Sequence, residues 1–222
     1  MTTEWIYGRR VARLALTVGA RRRVLRLAAT APALRSLAGA LPPGLETAAV
    51  EPAALERLTG SREHQGVALE VPPYPYADPD VALAGDLLVV LDEVSDPHNL
   101  GAVARSALAA GAAGLVVPRR RAAHVTAAAV KASAGTLEHL PVAQVTNIAR
   151  FLAQAKRAGF WVYGASGEGA SPYTALDLRG RVALVLGAEG HGLRPLVART
   201  CDVLAAVPMR APVESLNVSV AA

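Results

Sequence analysis

Several things are scarce in this sequence, and each scarcity excludes a class of protein. Cys201 is the only cysteine, so there are no internal disulfides and no cysteine zinc cluster. His64, His124, His139, His191 and Cys201 show no metal-ligand spacing, and no metal is expected. Aromatic residues make up 4% of the chain, so its core must rest on alanine, valine and leucine. No apolar stretch approaches the ~18 uninterrupted residues of a membrane-spanning helix. The start, Met1-Thr2-Thr3-Glu4-Trp5, lacks the basic-then-apolar order of a signal peptide. A cytoplasmic protein is the simplest expectation. Lysine is scarce too: Lys131 and Lys156 are the only lysines among 23 basic residues.

What is present is apolar and basic. With 52% hydrophobic and 18% charged residues, the 222-residue chain can bury a real core, as one sizeable domain or as a small one joined to a medium one. The net charge of +5 is carried by arginine. Arg9, Arg10, Arg13, Arg21, Arg22, Arg23 and Arg26 crowd the beginning, and Arg119, Arg120 and Arg121 form a second run. Two readings stay open on charge alone. Such runs are solvated faces in a chain whose coding favours arginine, or they are phosphate contacts, for which guanidinium forks are well shaped. Arg9, Arg10, Arg21, Arg22, Arg23, Arg119 and Arg120 are the candidate RNA contacts.

Residues 72–80 hold four prolines in nine positions. Proline removes backbone donors and disfavours helix in the residue before it, so this stretch is expected to be an extended connector between 1–71 and 81–222. The first part mixes helix-like segments (Val11–Leu16, Ala53–Leu58) with strand-like ones (Val24–Ala28, Gly66–Val71), the pattern of a small α/β module. In the second part, apolar runs at Leu87–Leu91, Gly114–Val117, Phe160–Ala165, Val182–Leu186 and Val203–Val207 predict strands. They alternate with helices expected near 97–110, Ala122–Ala132, Ile148–Arg157 and Leu193–Arg199. Asp96 is placed to cap the first of these and Pro97 suits its first position. Leu100, Val103, Ala104, Ala107 and Leu108 then form one buried stripe, which Gly111 ends. Strand–helix alternation at this spacing implies a parallel sheet covered on both faces.

Three segments at predicted strand ends carry the chemistry. The first runs Asp92-Glu93-Val94-Ser95-Asp96-Pro97-His98-Asn99-Leu100-Gly101, with Arg105 beyond it. The second is Leu186-Gly187-Ala188-Glu189-Gly190-His191-Gly192. The third runs from Val207-Pro208-Met209 through Ser215-Leu216-Asn217-Val218-Ser219. Loops at the carboxyl ends of parallel strands are where α/β proteins build sites. In this order and at these separations, the three resemble the motifs of the SpoU/TrmH family of RNA ribose 2′-O-methyltransferases, of the SPOUT class. Ile6-Tyr7-Gly8 and His64-Gln65-Gly66-Val67-Ala68 more faintly resemble the N-terminal substrate-binding domain of one SpoU subgroup.

The resemblance implies a parallel α/β domain with a C-terminal trefoil knot, S-adenosyl-L-methionine as cofactor, a homodimer, and structured RNA as substrate. The usual target of the subgroup is a guanosine of large-subunit ribosomal RNA; tRNA is the alternative. It implies a catalytic set of Asn99, Arg105, Glu189, Ser215 and Asn217, and a cofactor loop set of Gly187, Gly190, Val207, Met209 and Leu216. A ribose 2′-OH is poorly acidic, so the protein has mainly to position it and ease loss of its proton. A guanidinium is effectively never deprotonated, which leaves Arg105 to stabilise a developing alkoxide or grip the adjoining phosphate. Asn99 is a hinge to the ribose or merely a helix cap, and Ser215 is likewise an active-centre group or a cap. Gly190-His191-Gly192 does not extend to a dinucleotide loop, because Pro195 stands where its last glycine belongs. Gly164-Ala165-Ser166-Gly167 resembles a nucleophile elbow only loosely, its final glycine being absent. The resemblance further implies a C-terminal helix of several turns. The sequence carries only its beginning, so that helix is expected to be cut short. This departure is the one feature that favours a non-catalytic RNA-binding protein on the same scaffold.

Overall fold

A computed structural model of the chain describes residues 2–167, 171–213 and 215–222. Its first part is a four-stranded sheet with three helices: β1 (Glu4–Tyr7), α1 (Arg9–Ala15), β2 (Arg26–Ala29), α2 (Ala31–Leu37), β3 (Glu46–Ala49), α3 (Pro52–Thr59) and β4 (Val67–Val71). The strand order is β1-β4-β2-β3, with β4 antiparallel to both neighbours and β2 parallel to β3. Pro72–Pro75 then runs without regular structure to α4 (Pro79–Ala82). This connector is not a loose tether. Tyr74 is buried and donates its hydroxyl to the carbonyl of Leu140 at 2.8 Å, and the Ala77 amide donates to the carbonyl of Val142.

The second part continues as β5 (Leu87–Asp92), α5 (Pro97–Ala109), β6 (Gly114–Pro118), α6 (Ala127–Ala132), β7 (Val142–Val145) and α7 (Ile148–Arg157). It ends with β8 (Trp161–Ala165), β9 (Ser171–Pro172), β10 (Val182–Gly187), α8 (Pro195–Thr200), β11 (Val203–Ala206) and α9 (Val218–Ala221). The strands form one parallel sheet in the order β7-β6-β5-β10-β8-β11-β9. Alternate strand residues serve opposite faces. Val89, Leu91, Leu115, Val117 and Leu186 pack with α5 and α6, whereas Leu88, Val90, Val116, Val162 and Val185 pack with Ile148, Phe151, Leu152 and Val197 of α7 and α8. Burial on both faces explains why these strands read as continuous apolar runs.

Helix α5 forms for the reasons its sequence suggests. The Asp96 carboxylate accepts from the amide of His98 at 2.9 Å, Pro97 occupies the first turn, and Leu100, Val103, Ala104 and Ala107 are buried. Gly101 is needed for packing: a Cβ there would lie 2.3 Å from the carbonyl oxygen of Ala129, so only glycine lets α5 lie against α6.

The two sheets share one core. Ile6, Val11, Leu27 and Leu69 belong to the same buried cluster as Leu91, Leu100, Val130 and Leu137. At the seam Arg22, 2% exposed, donates to both carboxylate oxygens of Glu138 and to Glu4. This corrects the expectation that Arg22 contacts RNA: its fork is consumed by Glu138 in the interior and by Glu4, which is partly exposed. Arg21 is half-buried beside it. Its Nη2 donates to the carbonyl of Pro75 at 2.9 Å and its guanidinium lies 5.7 Å from the Tyr74 ring centre. It too braces the connector. No described helix is long and apolar enough to cross a membrane.

Candidate active site at three strand ends

Chain order and strand order disagree at one point, and the site lies there. From β5 the chain moves outward to β6 and β7, then crosses to β8 on the other side. β10 later enters between β5 and β8. The loops after β5 and β10 therefore leave the sheet side by side, with Asp92 and Gly187 in register. That is the switch-point geometry at which open α/β sheets hold ligands.

A single carboxylate joins the three motifs. Oε1 of Glu189 accepts from Nδ2 of Asn99 at 2.8 Å and from Nδ2 of Asn217 at 2.5 Å. Asn99 is 7% exposed and does not cap α5, since Asp96 does that. Asn217 has two tasks: its amide nitrogen binds Glu189 while its Oδ1 caps α9 through the amide of Ser219 at 2.8 Å. Ser215 is exposed, is not the cap of α9, and makes no hydrogen bond among the described residues. Glu214, which also falls within the third motif, lies outside the described residues.

A second clamp ties the first loop to the second, through Asp92 at the head of the first motif and Arg194, which lies outside all three motifs. Asp92, fully buried at the end of β5, accepts from the Arg194 backbone amide at 2.9 Å and from its Nε at 2.8 Å. Hydrogen bonding to Asp92 raises the pKa of the Arg194 guanidinium further above its ordinary value. Arg194 also reaches Glu93 at 3.3 Å. Asp92 is visible in the sequence as a motif residue that ends an apolar strand, whereas nothing local marks Arg194 as its partner.

The second motif folds on itself. Ala188 and Gly192 exchange backbone hydrogen bonds, and a Cβ on Gly187 would lie 2.2 Å from the carbonyl carbon of Gly192. Gly187 is therefore required by the loop's own backbone. Gly190 sits exposed at the tip with φ +79. In the third motif Val207 and Met209 are half-buried and Leu216 is 37% exposed. Among the described residues, the backbone amides of Met209 and Leu216 have no backbone partner. Apolar side chains beside free amides suit an adenine, which needs a flat apolar wall and donors for its ring nitrogens. These residues thus fit the adenosyl group of S-adenosylmethionine.

Arg105 stands apart from the Glu189 cluster. It is exposed on α5, lines a cleft beside the N-terminal sheet, and has no hydrogen-bond or ion-pair partner among the described residues. Arg9, Arg10, Arg23, Arg119 and Arg120 are exposed. No group of three or more potential metal ligands occurs among the described residues.

Residues 86–222 match the model of the SpoU rRNA Methylase family, and residues 5–77 match that of the RNA 2′-O ribose methyltransferase substrate-binding domain. A protein of Xylella fastidiosa named 23S rRNA (guanosine-2′-O-)-methyltransferase RlmB is 45% identical over 81% of this chain and 75% of its own. An uncharacterized tRNA/rRNA methyltransferase of Mycolicibacterium vanbaalenii is 46% identical over 76% of this chain and 56% of its own, so the match spans little more than half of that relative. Among solved structures, the SpoU methyltransferase AviRb from Streptomyces viridochromogenes in complex with AdoMet superposes with a TM-score of 0.81 at 28% identity, covering 98% of this chain and 85% of that one. A TrmH-family RNA methyltransferase from Porphyromonas gingivalis gives 0.79 at 28% identity, covering 99% and 86%. The chain belongs to the SpoU rRNA methylase family.

Proposed function

We propose that this protein transfers a methyl group from S-adenosylmethionine to a ribose 2′-OH in structured RNA, with a guanosine of large-subunit ribosomal RNA as its target. The observation that carries the reading is the convergence of all three motifs on Glu189. The name of the Xylella relative supports both the reaction and the ribosomal target. A 2′-OH distinguishes RNA from DNA, so an RNA substrate follows from the chemistry.

Within this reading each group has a limited task. Glu189 accepts from Asn99 and Asn217 and so fixes loops from two different strands in one arrangement. Gly190, Val207, Met209 and Leu216 hold the adenosyl portion, and Gly187 keeps its loop closed. S-adenosylmethionine supplies the methyl group from its sulfonium. Ser215 offers an exposed hydroxyl to the ribose. Arg105 has no partner of its own among the described residues and faces a basic cleft, which favours a grip on the phosphate next to the target ribose over a place beside the Glu189 cluster.

A second copy of the chain completes the proposed enzyme. Val213, Leu216 and Val220 are exposed apolar residues at and beside α9, a surface suited to burial between two subunits. Residues 1–71 act as the substrate module and 81–222 as the methyltransferase, joined by 72–80, in the cytoplasm. A tRNA substrate is the second reading, since the name of the Mycolicibacterium relative gives tRNA beside rRNA.

Calorimetric titration with S-adenosylmethionine, followed by transfer of labelled methyl to separate ribosomal RNA and tRNA pools, tests the proposal. Cofactor binding with label in ribosomal RNA is the expected result. Label confined to tRNA would replace the substrate. RNA binding without cofactor binding would leave a non-catalytic RNA-binding protein.

A further inference from the structure

Between the N-terminal module and the α5–α6 pair runs a cleft of about 670 Å³, lined by Arg9, Arg10, Gln65, Arg105 and Lys131 among others, with no acidic residue in its wall among the described residues. Four cations facing one space repel one another, and such an arrangement persists more readily when an anion fills it. Arg10, Arg105 and Lys131 have no hydrogen bond or ion pair among the described residues. Arg9 is partly engaged: its backbone amide donates to Oε1 of Gln65 and its Nε to the Gln65 carbonyl, each at 3.1 Å. These bonds leave its terminal amino groups free to turn inward.

Lys131 is the residue for which the cleft is shaped. Its ammonium lies 5.9 Å from the centre of the Tyr7 ring, and a Cβ on Gly8 would come within 2.9 Å of its Nζ and 3.2 Å of its Cδ. Gly8 has φ +113, a conformation that L side chains rarely adopt, so the glycine both shapes the turn and makes room for the lysine. Burial lowers the pKa of Lys131, against a weaker opposing pull from the Glu63 carboxylate, which lies outside the wall and makes no ion pair with it among the described residues. A partly desolvated ammonium without a hydrogen-bonded carboxylate is the kind of group that a bound phosphate would satisfy. Tyr7 itself is buried, and no aromatic side chain lines the wall among the described residues, so the cleft suits a sugar–phosphate backbone better than bases.

We propose that this cleft is a phosphodiester-binding channel for the RNA strand next to the methylated nucleotide, with Lys131 and Arg10 as its phosphate contacts. The naming of RNA rests on the methyltransferase reading above; the anion site itself does not. Both modules then grip one stretch of strand, and Arg105, on the helix that opens at the first motif, links that grip to the catalytic loops.

Equilibrium binding of the full chain to 23S ribosomal RNA, measured across salt concentrations, tests this. Neutralising one phosphate contact reduces the slope of log affinity against log salt by about 0.7–0.9. Lys131→Ala and Arg10→Ala are each expected to show that reduction with a several-fold loss of affinity, and Lys131→Arg to restore the slope. Arg157→Ala, an exposed charge removed from α7 on the opposite face of the sheet, is expected to change neither. Equal slopes in all proteins, or the same reduction in Arg157→Ala, would overturn the proposal. So would displacement of RNA from the wild type by millimolar inorganic phosphate at constant ionic strength, since a free anion would then be the ligand. S-adenosylmethionine binding, measured in parallel, is expected to be unaltered. Because the slopes need no methyl transfer, failure of the enzymatic reading and failure of the channel are separately visible.

Discussion

Asn99 reaches across 90 residues of chain to donate its side-chain N–H to Oε1 of Glu189 at 2.8 Å. The same oxygen accepts from Asn217. Removing the acceptor therefore frees two loops at once. Hydrogen bonds to a charged group are worth roughly 1.5–3 kcal/mol, so Glu189→Ala is expected to lower kcat/KM by about ten- to a hundredfold. Glu189→Gln, which keeps a carbonyl oxygen, is expected to lose less. Steady-state methyl transfer by the three proteins checks this, and equal rates would separate the cluster from catalysis.

The seam between the two sheets makes a prediction about stability. Arg22 and Glu138 are both buried, and their side chains are fully shielded from solvent. Removing one partner of a buried pair leaves the other charge uncompensated, at a cost of about 3–5 kcal/mol. Arg22→Met is expected to lower the urea midpoint by a corresponding amount, and adding Glu138→Leu to recover part of it. A midpoint unchanged in Arg22→Met would mean that the seam is not closed in solution.

This pair also shows what the sequence conceals. Arg22 sits in an arginine run that looks solvated or RNA-facing, and nothing local shows that Glu138 will arrive beneath it. Helix α7 is legible because its apolar spacing and its Asn147 cap are local, and it spans Ile148–Arg157 as expected. β1 and β3 are not legible. β3 carries only Glu46-Thr47-Ala48-Ala49, all exposed, and pairs at a sheet edge, where no apolar alternation is needed. α6 begins at Ala127 instead of Ala122, because Thr126 caps it through the amide of Ala129. Glu189 is visible as a motif residue, yet its two partners are long-range. Spacing alone can name Asn99 and Asn217 as candidates but cannot join them. Lys131 gives no motif at all and acquires meaning only once Gly8 and Arg105 lie beside it.

Gly101 tests the packing of α5 on α6. An alanine Cβ would fall 2.3 Å from the Ala129 oxygen and 2.7 Å from the Ala132 Cβ, so the helices must separate. Overpacking of this kind costs about 1–3 kcal/mol, against a small gain in helix propensity. Gly101→Ala is expected to melt several degrees lower in a calorimetric scan; a higher melting temperature would show that the two helices have slack.

Cys201 should be chemically quiet. Burial pushes its thiol pKa up to about 11, and its Sγ donates to the carbonyl of Val197 at 3.3 Å. At pH 8 the folded chain then holds about a hundredfold less thiolate than the unfolded chain. Alkylation by iodoacetamide is expected to be slow in buffer, fast in denaturant, and to accelerate as pH rises toward 11. Because the folded pKa is the higher one, the thiol's contribution to stability is present below the ordinary thiol pKa and is lost as pH rises through about 11. Rapid alkylation at neutral pH would contradict the burial.

Methyl transfer to a ribose hydroxyl can be measured directly. The full-length protein is incubated with tritiated S-adenosylmethionine and large-subunit ribosomal RNA, and the labelled RNA is digested with alkali. A 2′-O-methyl group blocks cleavage at its own phosphate, so labelled, alkali-resistant dinucleotides are expected, and they disappear with Arg105→Ala. Label recovered in alkali-sensitive mononucleotides would place the methyl group on a base and contradict the assignment.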